Sequence, residues 1–281
     1  MLNTKQIILI VAVLAIMGAL IAQPIKGLID KAQGEAEATA TMESTEAHDL
    51  LSISEVFKSG INAGLAEKIT SLEEEYQNTS SDEQKEAVLL ELAESWDDLA
   101  KYAPQGYIFE EIAEISPSFQ NWYKAGKAYQ QAYGNLQDTT LSGELHTKAI
   151  HAFTKALEED EGNLEAKTGL GSAIVSNGEN PMEGVTMLLS VVEEEPRNLE
   201  ANKALGLFSL QSRQFDKAVE RFLVATEQEE SAESYFYLAT AYENIGMNSE
   251  AIAAFSKSKK IASDPTLSQF IDRKIGELSK K

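Results

Sequence analysis

One pair of residue types recurs along the chain at nearly constant spacing, and this recurrence restricts the possible folds more than any other feature. An apolar or small residue is followed directly by Gly or Ala at five places. The small residues of these pairs are Ala93, Gly126, Gly171, Gly206 and Ala239. Successive members are separated by 33, 45, 35 and 33 residues. Repetition at a period of roughly 20–50 residues is typical of stacked repeat units rather than of one compact globule.

A second pattern follows each of these pairs, in which a small residue precedes a large apolar one by four positions. The pairs are Ala149 with Phe153, Gly184 with Leu188, Ala218 with Phe222, Ala251 with Phe255, and the degenerate Gln105 with Phe109. Gly and Ala let two helices approach closely, and a large residue nearby fills the remaining volume. Each period therefore predicts a helical hairpin. One hairpin cannot bury both of its faces, so neighbouring hairpins are expected to stack.

On these columns, residues 86–265 resemble the tetratricopeptide-repeat (TPR) family, whose unit of about 34 residues is a helix, a turn and an antiparallel helix. The resemblance implies an all-α solenoid of about five repeats. Their predicted bounds are 86–118, 119–163, 164–198, 199–231 and 232–265. Residues 266–281 are expected to form a capping helix, because Leu267, Phe270, Ile271, Ile275 and Leu278 lie on one helical stripe.

Three local features depart from the repeat pattern or imitate another motif. The second repeat carries about eleven extra residues around 136–147, which predicts a long loop or lengthened helices. Gln105 stands where a small residue is expected, so the first repeat fits the family least well. The segment Gly169–Ser172 imitates a phosphate-binding loop, but it lies inside a predicted helix, so packing explains its glycines.

The amino-terminal region contains an unbroken apolar run from Ile7 to Ala22. This run predicts a membrane anchor within residues 1–29, followed by an acidic linker at 30–48. The alternative is a cleaved secretion signal, although Lys5 is the only charged leader residue and cleavage after Ala22 would leave Leu20 where small side chains are preferred. A short leader before a large acidic domain predicts a single-pass bacterial inner-membrane protein with its carboxyl-terminal domain in the periplasm.

Residues 49–85 are predicted to be helical, because apolar positions between Leu50 and Tyr76 step mainly by three and four. We expect one long amphipathic helix from Leu50 to Tyr76, followed by a turn and the start of another helix within 77–84. The long helix could form a coiled-coil dimer or pack on the first repeat, and the absence of sustained heptads favours packing on the repeat.

Composition excludes several classes of function. A net charge of −21 opposes nucleic-acid binding, which requires a cationic face. The absence of Cys excludes disulfides, thiolate metal sites and thiol nucleophiles. His48, His146 and His151 lack the spacing of three or four that a helical metal site uses. Without a convergent polar site, the chain is predicted to be no enzyme and to bind no cofactor, metal or small-molecule substrate.

In TPR proteins the first helices line a concave face that commonly holds peptides, so the resemblance implies a partner-binding groove here. The candidate contacts are Tyr123, Lys127, Gln130, Gln131, Thr168, Ser172, Val175, Lys203, Leu207, Gln211, Phe236, Thr240, Glu243 and Asn244. The alternative is an ordinary solvated inner surface, with partners docking elsewhere. Acidic runs at 158–161, 193–195 and 229–230 close successive second helices, and this acidic edge either aids solubility or receives a basic partner segment.

Together these features predict a membrane-anchored adaptor or scaffold that binds a protein partner at a membrane complex. By resemblance to other anchored repeat proteins, the settings considered are a protein-export translocon, envelope assembly and cytochrome maturation. The alternative function is a periplasmic chaperone-like holdase for unfolded clients.

Overall fold

The computed structural model describes residues 48–134, 136 and 138–280, and this part of the chain contains thirteen α-helices. In chain order they are α1 (Leu50–Lys58), α2 (Ala63–Asn78), α3 (Asp82–Asp97), α4 (Tyr102–Ile115), α5 (Phe119–Tyr133), α6 (Thr139–Glu159), α7 (Leu164–Asn177), α8 (Pro181–Glu194), α9 (Leu199–Gln211), α10 (Phe215–Gln228), α11 (Ala232–Asn244), α12 (Asn248–Ile261) and α13 (Pro265–Leu278). From α2 onward, each helix packs against the next one in sequence. The result is an all-α stack of hairpins.

The recurring small residues lie where the two helices of a hairpin approach most closely. A side chain added to Gly126 would come within 2.7 Å of the Phe153 ring. In the later repeats, one added to Gly206 would come within 2.8 Å of the Phe222 ring. The predicted pairing of a small residue with a large one is therefore confirmed for these two hairpins. Gly169 also lies against the Phe153 ring, so the glycines of Gly169–Ser172 serve packing.

The region before the repeats corrects one prediction, because the apolar stripe from Leu50 to Tyr76 is two helices rather than one. The chain turns at residues 59–62, and the Asn62 side chain accepts a hydrogen bond from the Leu65 backbone N–H, which caps α2. Asn favours a helix start over a helix interior because its side chain competes for backbone hydrogen bonds. The break turns Leu65 toward solvent, with 36% of its surface exposed.

Two departures from the repeat pattern have physical explanations. The extra residues of the second repeat lengthen α6 to 21 residues, whereas α8, α10 and α12 have 14 each. Gln105 is buried, and its amide donates hydrogen bonds to the Ala93 carbonyl at 3.1 Å and to the Asp97 carboxylate at 3.1 Å. The amide thus links α4 to α3 at a position where the other repeats use a small residue.

The carboxyl-terminal helix α13 packs on the last hairpin. Ile271 and Leu278 are buried, and Leu267 and Ile275 pack partly buried against the same core. Among the described residues, no helix has the length and apolar character needed to span a bilayer. The predicted anchor at residues 7–22 lies outside the described residues.

Candidate functional site

The first helices of successive repeats begin in the same way. A Ser or Asn side chain caps each of α5, α7, α9 and α11 by accepting a hydrogen bond from a backbone N–H of the first turn. The capping residues are Ser118, Asn163, Asn198 and Ser231. Such caps satisfy backbone donors that the helix itself leaves unpaired. Because α5 contacts α7, α7 contacts α9, and α9 contacts α11, these helices form one surface, called here the first-helix face.

Four cavities indent the first-helix face and its two ends. Cavity A, of about 440 Å³, lies among α3, α4 and α5. Cavity B, of about 260 Å³, lies among α5, α7 and α9. Cavity C, of about 380 Å³, extends from α5 and α7 across α9 to α11. Cavity D, of about 460 Å³, lies between α11 and α13.

Cavities A, B and C adjoin one another through shared lining residues. Tyr123 and Lys127 line both A and B, while Gln130, Ser172 and Glu200 line both B and C. A groove therefore runs from α3 to α11 along the first-helix face.

All fourteen residues predicted as partner contacts line one of these four cavities. The structure therefore brings the predicted residues together on one surface and its ends. Thr168 and Val175 are exposed by only 5% and 8%, so they shape the floor of the groove. The Thr168 hydroxyl donates its hydrogen to the Leu164 carbonyl at 2.7 Å, so toward a partner it can only accept a hydrogen bond.

Tyr123 is the aromatic side chain of cavity B, and its ring is held in place by its neighbours. It stacks on Phe119 at a centroid distance of 5.5 Å and lies 5.9 Å from the Phe153 ring. Burial, with added repulsion from the carboxylates of Glu165 and Glu200, raises the pKa of the Tyr123 hydroxyl. The hydroxyl therefore stays protonated at neutral pH and can donate a hydrogen bond.

Lys127 of cavity B and Lys203 of cavity C are differently engaged. The Lys203 ammonium lies 3.6 Å from the Glu200 carboxylate, one turn earlier on α9. Lys127 forms no ion pair with any residue that the structure describes. An unpaired ammonium in a half-buried groove favours an acceptor supplied from outside.

Residues of the capping helix α13 already contact the residues that line cavity D. The Lys274 ammonium of α13 lies 2.9 Å from both carboxylate oxygens of Glu243. The Phe236 ring lies 5.8 Å from Phe270 of α13 and 5.7 Å from Phe255. Glu243 and Phe236, which were predicted as partner contacts, thus make intramolecular contacts that hold α13 on the last hairpin.

Three functional candidates escaped the sequence analysis. Glu165, Glu200 and Glu233 occupy the second position of α7, α9 and α11, and each lines cavity B or cavity C. Their spacings of 35 and 33 residues equal those of the small-residue column, so the signal was present in the sequence. It is weak alone, because Glu is common in the first turn of any helix, where it interacts favourably with the helix dipole.

A separate polar cluster joins residue 48 to α4 and α6. Glu144 accepts hydrogen bonds from the His48 backbone N–H at 3.0 Å and from the Tyr107 hydroxyl at 2.6 Å. Burial would raise the pKa of Glu144, but these hydrogen bonds and His48 outweigh it and lower the pKa. Nearby, the Lys148 ammonium lies 2.7 Å from Glu110. Within the described ranges, no group of three or more His, Asp or Glu side chains is placed to hold a metal ion.

The stacked hairpins, the small-residue contacts within them and the first-helix face make the described part of the chain an α-solenoid whose fold resembles that of tetratricopeptide-repeat proteins. Among solved structures, it is similar to TTC0263, a thermophilic TPR protein of Thermus thermophilus. The identity is 19% and the TM-score is 0.51, over 68% of this chain and 98% of that one.

Two further structures have lower TM-scores. One is YrrB, described as a TPR protein with an unusual peptide-binding site, with 20% identity and a TM-score of 0.45 over 66% of this chain and 91% of that one. The other is MamA, with 20% identity and a TM-score of 0.47 over 62% of this chain and 90% of that one. No protein-family model and no curated protein matches the chain.

Proposed function

We propose that this protein is a non-enzymatic adaptor that binds a polypeptide segment of a protein partner in the groove formed by cavities A, B and C. The observation that carries the proposal is the continuity of these cavities along the first-helix face. The groove combines an aromatic ring, an unpaired ammonium and several amide and hydroxyl groups, a mixture suited to the alternating polar and apolar groups of a polypeptide.

We further propose that the apolar run at residues 7–22 anchors this groove at a bacterial inner membrane, with the repeats in the periplasm. The support is the sequence itself, because sixteen consecutive residues without a charge approach the length of a membrane span. Anchoring beside a membrane complex would raise the effective concentration of the partner at the groove. A protein-export or envelope-assembly complex is the proposed setting.

Partner binding in the groove can be tested by placing a large side chain there. Ser172 lines both cavity B and cavity C, so the arginine side chain of Ser172→Arg should occupy the space that a partner segment needs. We expect this variant of the full chain, solubilised in mild detergent after crosslinking in cells, to recover at least roughly tenfold less partner than the unchanged protein, because a filled pocket loses its central contacts.

Thr186→Arg is the matched control, since Thr186 is exposed on the second helix α8. It should recover as much partner as the unchanged protein, and circular dichroism should show equal helicity for both variants. Equal recovery with both variants would refute the groove as the binding site. A mixed population of unfolded clients in place of a stoichiometric partner would favour the holdase.

The proposed orientation predicts that protease added to intact spheroplasts digests the repeat domain. The reason is that a periplasmic domain loses its only barrier when the outer membrane is removed. The measurement is an immunoblot with an antibody against the repeats, with a cytoplasmic protein as the control for intact cells. Complete protection of the repeats until the spheroplasts are lysed would contradict the periplasmic assignment.

A further inference from the structure

Cavities B and C lie between carboxylates that repeat with the solenoid. Glu165 and Glu200 line cavity B, and Glu200 and Glu233 line cavity C. Each of the three side chains is exposed, so each carboxylate is accessible from the groove. We call these three residues the glutamate row.

The other groups of cavity B suit the side chain of a lysine or an arginine. The Tyr123 ring offers an apolar and electron-rich surface for the aliphatic stem and the cationic head. Thr168 and Ser172 line the same cavity, and its volume of about 260 Å³ exceeds that of a single long side chain. Glu200 already has Lys203 as a counter-charge, whereas Glu165 forms no ion pair with any residue that the structure describes, so a neutral or acidic partner side chain would leave Glu165 unpaired.

The charges that line cavities B and C also favour a basic side chain. Cavities B and C together have the three carboxylates of the glutamate row against two lysines, Lys127 and Lys203, and Lys203 already lies 3.6 Å from Glu200. The whole chain carries a net charge of −21, so the field around the groove attracts cations and repels anions. Lys127, which has no ion-pair partner among the described residues, can bind a main-chain carbonyl of a segment whose side chains are basic.

From this arrangement we infer that the groove recognises a basic polypeptide segment, with a lysine or arginine entering cavity B between Glu165 and Glu200 and a second one entering cavity C between Glu200 and Glu233. This inference rests on the proposed function, because it assigns the chemistry of the partner to the same groove. It differs from an unspecific acidic surface in requiring three particular carboxylates.

The chain offers a matched set of substitutions to test this requirement. Glu183, Asp216 and Glu250 lie in the first turns of the second helices α8, α10 and α12, in the same three repeats as the glutamate row. They line none of cavities A to D. The triple variants E165Q/E200Q/E233Q and E183Q/D216N/E250Q therefore change net charge and first-turn helix electrostatics equally, but only the first changes the groove.

The probe is a fluorescein-labelled 12-residue peptide of alternating Lys and Ala, with its Glu–Ala counterpart as the negative probe, measured by fluorescence anisotropy on the full chain in mild detergent. We expect the Lys–Ala peptide to bind and the Glu–Ala peptide not to bind. E165Q/E200Q/E233Q should weaken Lys–Ala binding roughly tenfold or more, because hydrogen bonds to charged groups are lost. The control triple variant should change it less than about twofold, as screened distant charges do.

Three outcomes would overturn the inference: equal weakening by both triple variants, unchanged binding in E165Q/E200Q/E233Q, or no binding of the Lys–Ala peptide. The proposed function is judged separately by partner recovery with Ser172→Arg. If that variant loses the partner while E165Q/E200Q/E233Q keeps it, the groove binds a partner that is not basic at these positions.

Discussion

Phe153→Ala is expected to lower the free energy of unfolding by about 3–5 kcal/mol, the usual range for truncating a fully buried Phe. The Phe153 ring is 0% exposed, and the backbones of Gly126 in α5 and Gly169 in α7 approach it closely. A single ring therefore fills the space between the second and third repeats. Its loss leaves a cavity that two helices cannot close without moving their backbones.

The same substitution should also weaken the cooperativity of unfolding. Contacts in a repeat solenoid are made only between neighbours, so an impaired interface lets the two sides unfold separately. Both tryptophans of the chain, Trp96 and Trp122, precede Phe153, so their fluorescence reports the amino-terminal side while circular dichroism reports all helices. In Phe153→Ala, the urea transitions measured by these two signals should separate, whereas in the unchanged protein they should lie closer together.

Phe109→Ala is the control for this prediction, because Phe109 occupies the equivalent column position in the first repeat but is only partly buried. It should cost roughly 1–2 kcal/mol, in proportion to the smaller area it removes from water. If both variants lost the same free energy of unfolding, the Phe153 ring would contribute no more to stability than the partly buried Phe109 ring, and the prediction would be wrong.

Gly184→Ala is expected to destabilise the protein by about 2–3 kcal/mol, although Ala is normally the better helix former by about 1 kcal/mol. The added methyl group would overlap the Gly171 carbonyl oxygen and come within 2.9 Å of the Val175 backbone nitrogen. Both atoms belong to the main chain of α7, so no side-chain rotation relieves the clash. The helices α7 and α8 must separate.

Gly143→Ala, in the neighbouring hairpin, is expected to have the opposite effect on stability. Gly143 lies within α6, and a side chain there would meet nothing within 4 Å. The substitution should raise the free energy of unfolding by about 0.5–1 kcal/mol through helix propensity alone. Urea denaturation of both variants in parallel checks the pair, and a Gly184→Ala protein at least as stable as the unchanged chain would contradict the packing described for this hairpin.

The sequence alone determined the all-α solenoid, because close contact between two helices admits only Gly or Ala, and that restriction recurs with every hairpin. It also placed all fourteen candidate contacts on the cavities of one surface and its ends, since residues one turn from a packed position lie beside the interface. These properties follow from the spacing of residues along single helices, and this spacing can be read directly from the sequence.

Only the tertiary structure chose a lengthened α6 over a long loop and paired the Glu243 carboxylate with Lys274 of α13. It also showed that Glu165, Glu200 and Glu233 face shared cavities, which distinguishes them from the acids of other first turns. The physical reason is that these features depend on distances between residues from different helices. Such distances are set by how the hairpins stack, and no local pattern in the chain encodes them.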